Sequence, residues 1–141
     1  MKFWLLIMAT LSSATLFATG CSDPPPPTYP IAGEVTLDGK PLATGVLTLV
    51  PVKQGAGVPP IEIVDGRFAS PVDQAPQAGD YRVEISAFEK TGRLISDPDL
   101  AGVKTEETRQ IIPSRYNTQS TLSLTLPGDN YQSLSFALKR K

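Results

Sequence analysis

Gly79-Asp80-Tyr81-Arg82-Val83-Glu84-Ile85-Ser86-Ala87 decides the fold class. Tyr81, Val83, Ile85 and Ala87 share one parity, and Arg82, Glu84 and Ser86 share the other. Successive side chains of an extended chain point to opposite faces. The alternation therefore sets an apolar row against a core and leaves a polar row in water. Gly79-Asp80 opens the strand with a turn signal.

The same period runs outward in both directions. Upstream, Ile61-Glu62-Ile63-Val64 and Arg67-Phe68-Ala69-Ser70 flank Asp65-Gly66. Asp-Gly supplies the positive φ angles of a two-residue turn, so this segment predicts a β-hairpin. Val46-Leu47-Thr48-Leu49-Val50 is apolar on both parities, which predicts a central strand ended by Pro51. Before it, Ile31, Gly33, Val35 and Leu37 alternate with Ala32, Glu34 and Thr36, and Asp38-Gly39-Lys40-Pro41 turns the chain. Downstream, Leu122, Leu124 and Leu126 alternate with Thr121, Ser123 and Thr125. Pro127-Gly128-Asp129-Asn130 makes a turn, and Leu134, Phe136 and Leu138 form the last apolar row. About seven short strands between Gly, Pro and Asp turns, with no helical stretch, predict an all-β antiparallel sandwich over residues 31–141. A domain of this size buries enough core to stand without disulfides.

Residues 89–112 break the rhythm. They are polar and hold Gly92, Asp97-Pro98-Asp99, Gly102 and Glu106-Glu107. The segment is expected to be a long loop, either functional or disordered. Asp97, Asp99, Glu106 and Glu107 are its candidate calcium ligands, because calcium takes six to eight oxygens. Their spacing matches no EF-hand. The same carboxylates are the nearest the chain comes to an acid–base pair, although adjacent acids in a polar loop are ordinarily just solvated.

Thirteen Lys and Arg against 14 Asp and Glu give a net charge of −1, and Lys139-Arg140-Lys141 is the one basic run. Without a basic face, nucleic acid is not an expected partner. The chain has one Cys and no His. An internal disulfide is excluded, and the commonest general base and metal ligand are missing. The expectation is a protein that is not an enzyme and carries no cofactor or metal centre.

The first residues place Lys2 before the apolar run Phe3-Trp4-Leu5-Leu6-Ile7-Met8-Ala9, which breaks at Ser12-Ser13 and leads to Ala18-Thr19-Gly20-Cys21. A basic start, an apolar centre and a small-residue exit are the order of a secretory signal, assigned to residues 1–20. The apolar run is shorter than the roughly 18 uninterrupted residues of a spanning helix. Leu16-Phe17-Ala18-Thr19-Gly20-Cys21 resembles the lipobox of bacterial lipoprotein signals. The resemblance implies cleavage between Gly20 and Cys21, a diacylglycerol on the Cys21 thiol and acylation of the freed amine. Each buried methylene contributes about 0.8 kcal/mol, so two or more chains anchor stably. Ser22, rather than Asp, favours the outer membrane in bacteria that sort by that residue. Residues 21–30 then form the anchor and a linker, because Pro24-Pro25-Pro26-Pro27 prefers polyproline II and spaces the body from the membrane by about 3.1 Å per residue.

Gly33-Glu34-Val35-Thr36-Leu37-Asp38-Gly39-Lys40-Pro41-Leu42 resembles the opening of carboxypeptidase-regulatory-like, transthyretin-like domains. Asp65-Gly66-Arg67-Phe68 resembles their hairpin, and Ala78-Gly79-Asp80-Tyr81-Arg82-Val83 their "pG-x-Y-x-V" strand. Ile112-Pro113-Ser114-Arg115-Tyr116-Asn117, followed by Ser120-Thr121-Leu122, is similar to a segment of small bacterial lipoproteins built on this domain. The likeness covers residues 31–138 in order. It departs at Leu49-Val50, where the family often has an aromatic before Pro. It implies a transthyretin-like or Ig-like sandwich and an envelope location, but no catalytic residue, and fold alone does not license a function.

The expected function is a membrane-anchored envelope lipoprotein, a non-enzymatic accessory module. Its partners are the membrane, through the lipid, and another envelope protein or polysaccharide. The long loop and the sheet edges are its expected contact surfaces. The alternatives are calcium binding and carbohydrate binding by stacking on an exposed aromatic ring. Trp4 lies in the signal, which leaves Tyr29, Tyr81, Tyr116 and Tyr131, with Tyr81 expected in the core. The residues name no ligand and set no oligomeric state.

Overall fold

A computed structural model describes residues 24–141; the expected signal, the Gly20/Cys21 cleavage point and the lipid site at Cys21 lie outside the described residues. The described chain is all-β. Its strands are β1 (Ala32–Leu37), β2 (Lys40–Pro41), β3 (Thr44–Pro51), β4 (Ile61–Val64), β5 (Arg67–Ala69), β6 (Gly79–Ser86), β7 (Phe88–Ser96), β8 (Lys104–Gln110), β9 (Ser123–Leu126) and β10 (Leu134–Leu138). Short 3-10 turns cover Val72–Gln74 and Ser114–Tyr116.

Seven strands follow one hydrogen-bonded path, β10-β1-β5-β4-β3-β6-β9, and β2 pairs with the end of β1. Each strand turns one parity inward. Val35 of β1, Leu47 of β3, Ile63 of β4, Phe68 of β5 and Tyr81, Val83 and Ile85 of β6 meet in a single core with Leu124 and Leu138. One face of a flat sheet cannot cover itself, so the sheet curls until its apolar rows pack on one another as in a sandwich. Ile85, Val83, Leu47 and Val35 are wholly buried, each contributing about 1.5–3 kcal/mol over leaving it in water.

The seven strands expected from the sequence are all present, with three additions. β2 is two residues long and carries no periodic signal. Among the described residues β7 and β8 pair only with each other, so residues 89–112, expected to be a loop, are mainly an antiparallel hairpin. β3 is central but buries one face only: Leu47 and Leu49 face the core while Val46 is on the outside.

The expected Asp-Gly turn forms, with φ of 49° at Asp65 and 76° at Gly66, the positive pair a tight hairpin needs. The β1–β10 ladder is parallel, an exception to the otherwise antiparallel path, and it runs from Gly33 opposite Leu134 to Leu37 opposite Leu138. Gly33 permits it, because a Cβ there would stand 2.2 Å from the Leu134 carbonyl oxygen.

The pairings give the body two poles. β1, β4, β6 and β10 run one way and β3, β5 and β9 the other. The proline-rich segment arrives where β1, β6 and β10 begin. Thr28 bridges Gln77, the Tyr29 N–H donates to the Pro76 carbonyl at 2.8 Å, and the Tyr29 ring meets Tyr131 edge-on at 5.9 Å. Residues 28–30, assigned to the linker on composition, thus pack on the body. β6 carries the chain from this pole to the other, roughly 26 Å for its eight residues at strand rise. There the β7–β8 hairpin begins.

Candidate functional site

The hairpin is an arm with a root, a shaft and a tip. At the root the chain passes from β6 through the buried Ala87 into β7, and returns from β8 into the buried Ile112. The Ile111 N–H donates to the Ala87 carbonyl at 2.9 Å. The Ala87 and Ile112 N–H groups leave the ladder, and one atom takes both: Gln110 Oε1 accepts from Ala87 at 2.9 Å and from Ile112 at 3.2 Å. A carboxamide oxygen has two lone pairs for this task. Buried Asn117 completes the seat by donating its Nδ2 to the Ile112 carbonyl at 3.0 Å.

Along the shaft, Lys90 pairs with Glu106 at 3.0 Å on one face. On the other face Glu107 accepts from the Thr91 hydroxyl at 3.0 Å and lies 3.9 Å from Arg93. The register shifts between Lys90 and Leu94, where residues 91–93 bulge opposite Glu107. At the tip, Asp97 Oδ1 accepts the N–H groups of Asp99 at 2.9 Å and Leu100 at 3.0 Å, the Asx-turn geometry that short acids favour.

This geometry separates the four candidate calcium ligands. Glu106 and Glu107 are adjacent on a strand, so they point to opposite faces, and each carboxylate meets a cation. Asp97 is committed to backbone N–H groups, and Asp99 lies beside it at the tip. Among the described residues no three His, Cys, Asp or Glu side chains converge as a metal site. Of the carboxylates considered for acid–base work, Glu106 and Glu107 are separated in the same way, and Asp97 Oδ1 is taken by two backbone N–H groups.

The tyrosines are packed rather than presented. Tyr81 is in the core, its hydroxyl donating to the Gln77 carbonyl at 3.0 Å. Tyr29 and Tyr131 are half-buried against each other. Tyr116 lies under the Arg115 guanidinium, 4.9 Å from its ring centroid. Arg115 donates to the Lys139 carbonyl, and Tyr116 accepts from the Lys139 N–H at 3.4 Å, so the pair staples the end of β10. The hydrogen bond from Arg115 stabilises the phenolate, which lowers the Tyr116 pKa below 10.0.

Sequence reasoning passed over Phe88 and Gln110. Phe88 is 60 % exposed at the foot of the arm, and with Val46 and Val64 on the outer sheet face it lines a depression of about 380 Å³. Beyond Lys90, Leu94 exposes apolar surface on the shaft, and Leu100 and Val103 do so at the tip. The available signal was weak: Lys104–Gln110 holds no Gly or Pro and places the β-branched Thr105 and Thr108 in a run without an apolar row. Among the described residues no helix is long and apolar enough to cross a membrane. No protein-family model matches the chain, and no curated protein or solved structure matches it.

Proposed function

We propose that this chain is a lipid-anchored lipoprotein of the bacterial cell envelope, a non-enzymatic accessory module that holds the β7–β8 arm away from the membrane to contact another envelope protein. One observation carries the reading: the proline-rich tether joins the body at one pole and the arm leaves from the other. The sequence adds the export signal, a sole Cys at its exit and a stiff spacer. Glu106, Glu107 and Asp97 engage cations or backbone N–H groups, an arrangement suited to holding a shape rather than to proton transfer.

The test is mass spectrometry of the membrane fraction. The expected N-terminal peptide begins at Cys21 and carries acyl mass, and Cys21→Ser moves the protein out of that fraction. A mature N-terminus without acyl mass, or full-length chain free in the cytosol, rejects the reading. Membrane fractionation tests the outer-membrane placement that Ser22 favours.

A further inference from the structure

Gly79 to Ser96 is nearly one continuous strand, interrupted only at Ala87. Its backbone groups alternate between its two edges. Along β6, Asp80 accepts from the Val52 N–H, which turns the even residues toward β3; the Val83 N–H donates to Leu122, which turns the odd residues toward β9. The same parity holds through the arm. Ala87 accepts from Ile111, and the Asp97 N–H donates to Val103, so odd residues face β8. The N–H and C=O groups of Phe88, Lys90, Leu94 and Ser96 therefore point to the side that β3 occupies lower down. The β3–β6 ladder ends at Val46 opposite Ser86, and among the described residues no strand pairs with this edge of β7. The Phe88–Val46–Val64 depression lies at the foot of this vacancy.

We infer that the free edge of β7 binds an extended segment of a partner protein, which adds as a strand on the vacant β3 track. Unpaired backbone groups at strand spacing call for another extended backbone. The neighbouring side chains set its chemistry. A strand beside β7 meets Phe88 and, two residues on, Lys90 on the same face. The segment therefore carries an apolar residue over the depression and, two positions away, an acidic residue that shares the Lys90 ammonium with Glu106, because the Lys90 side chain is still 73 % exposed. The inference rests on the proposed anchoring in excluding a second copy of this chain. Two β7 edges would pair antiparallel about a two-fold axis, inverting one body relative to the other, whereas chains anchored in one membrane share an orientation.

The experiment selects random linear peptides displayed on phage against the full chain in detergent micelles, then follows amide exchange by NMR with the synthetic winners. Winners with an apolar-x-acidic pattern are expected to slow exchange at Phe88, Lys90, Leu94 and Ser96. Glu89 and Ile95, already bonded to β8, stay as they were. Methylating alternate backbone nitrogens of the peptide abolishes binding. Lys90→Pro removes an edge donor and the ammonium together without touching the β8 ladder and weakens binding by more than about tenfold, whereas Lys90→Ala keeps the donor and weakens it less. If Lys90→Pro loses protection at Glu89 and Ile95, Phe88→Asp decides instead, with a similar loss expected. No enrichment, winners that leave the four amides unchanged, or tolerance of backbone methylation overturns the inference. A chain without acyl mass whose edge still pairs defeats the anchoring alone; an acylated chain with a silent edge defeats this inference alone.

Discussion

Replacing Gln110 with Leu tests how the arm is seated. The change keeps the side chain's size and removes the one oxygen that accepts from both Ala87 and Ile112, at 2.9 and 3.2 Å. Each bond contributes about 0.5–1.5 kcal/mol, and each donor left stranded away from water costs about 1–3 kcal/mol. Gln110 is half-buried, so water relieves part of that cost. The expected loss is about 2 kcal/mol in the free energy of opening the root, equivalent to roughly 30-fold faster amide exchange. Exchange at Ala87 and Ile112 is the assay, with Val83 and Ile85 as internal controls in the core. Gln110→Glu offers a carboxylate to the same two donors and should restore protection. Unchanged exchange at Ala87 and Ile112 in Gln110→Leu would show that the arm is held by something else.

Three further outcomes follow from the same structure. Gly33→Ala drives a methyl group into the Leu134 carbonyl and should cost about 2–3 kcal/mol in a urea melt; a wild-type midpoint would mean that the β1–β10 ladder yields freely. Millimolar calcium should leave the thermal midpoint where it is, since Glu106 and Glu107 face opposite ways against Lys90 and Arg93; a raised midpoint would reinstate a metal site. Tyr116 should ionise ahead of an ordinary tyrosine in an ultraviolet titration, and Arg115→Ala should return it toward 10.0. Its folded pKa lies below the unfolded one. The linked stability is therefore complete above pH 10 and is lost as pH drops through the folded pKa. A midpoint insensitive to Arg115→Ala at high pH would contradict that linkage.

Strands that bury one face announced themselves. Tyr81, Val83 and Ile85 alternate because a core lies on one side and water on the other, and the Asp65-Gly66 turn is fixed by its dihedrals. β7 and β8 lack that contrast. Both faces of the arm meet solvent, so Phe88, Lys90 and Leu94 share a parity without forming an apolar row. The segment consequently read as loop. The parallel β1–β10 pairing joins distant parts of the chain and leaves only Gly33 as a local trace. Gln110 resembled any polar strand residue, because its role depends on two amides that come together only where the arm leaves the body. The acids of residues 97–107 looked like a cluster because sequence proximity hides the opposite facing of neighbouring strand residues.

The central claim is that the tether and the arm occupy opposite ends, with the tethered end at the bilayer. Once Cys21 is acylated, an introduced cysteine is the only free thiol, so a donor dye can be placed at Asp73→Cys near the tether or at Leu100→Cys at the arm tip. Energy transfer to an acceptor in the lipid headgroups is the measurement. The account predicts strong transfer from position 73 and weak transfer from position 100, beyond a body whose central strand alone spans roughly 26 Å. Equal transfer from both positions, or stronger transfer from the tip, would contradict it.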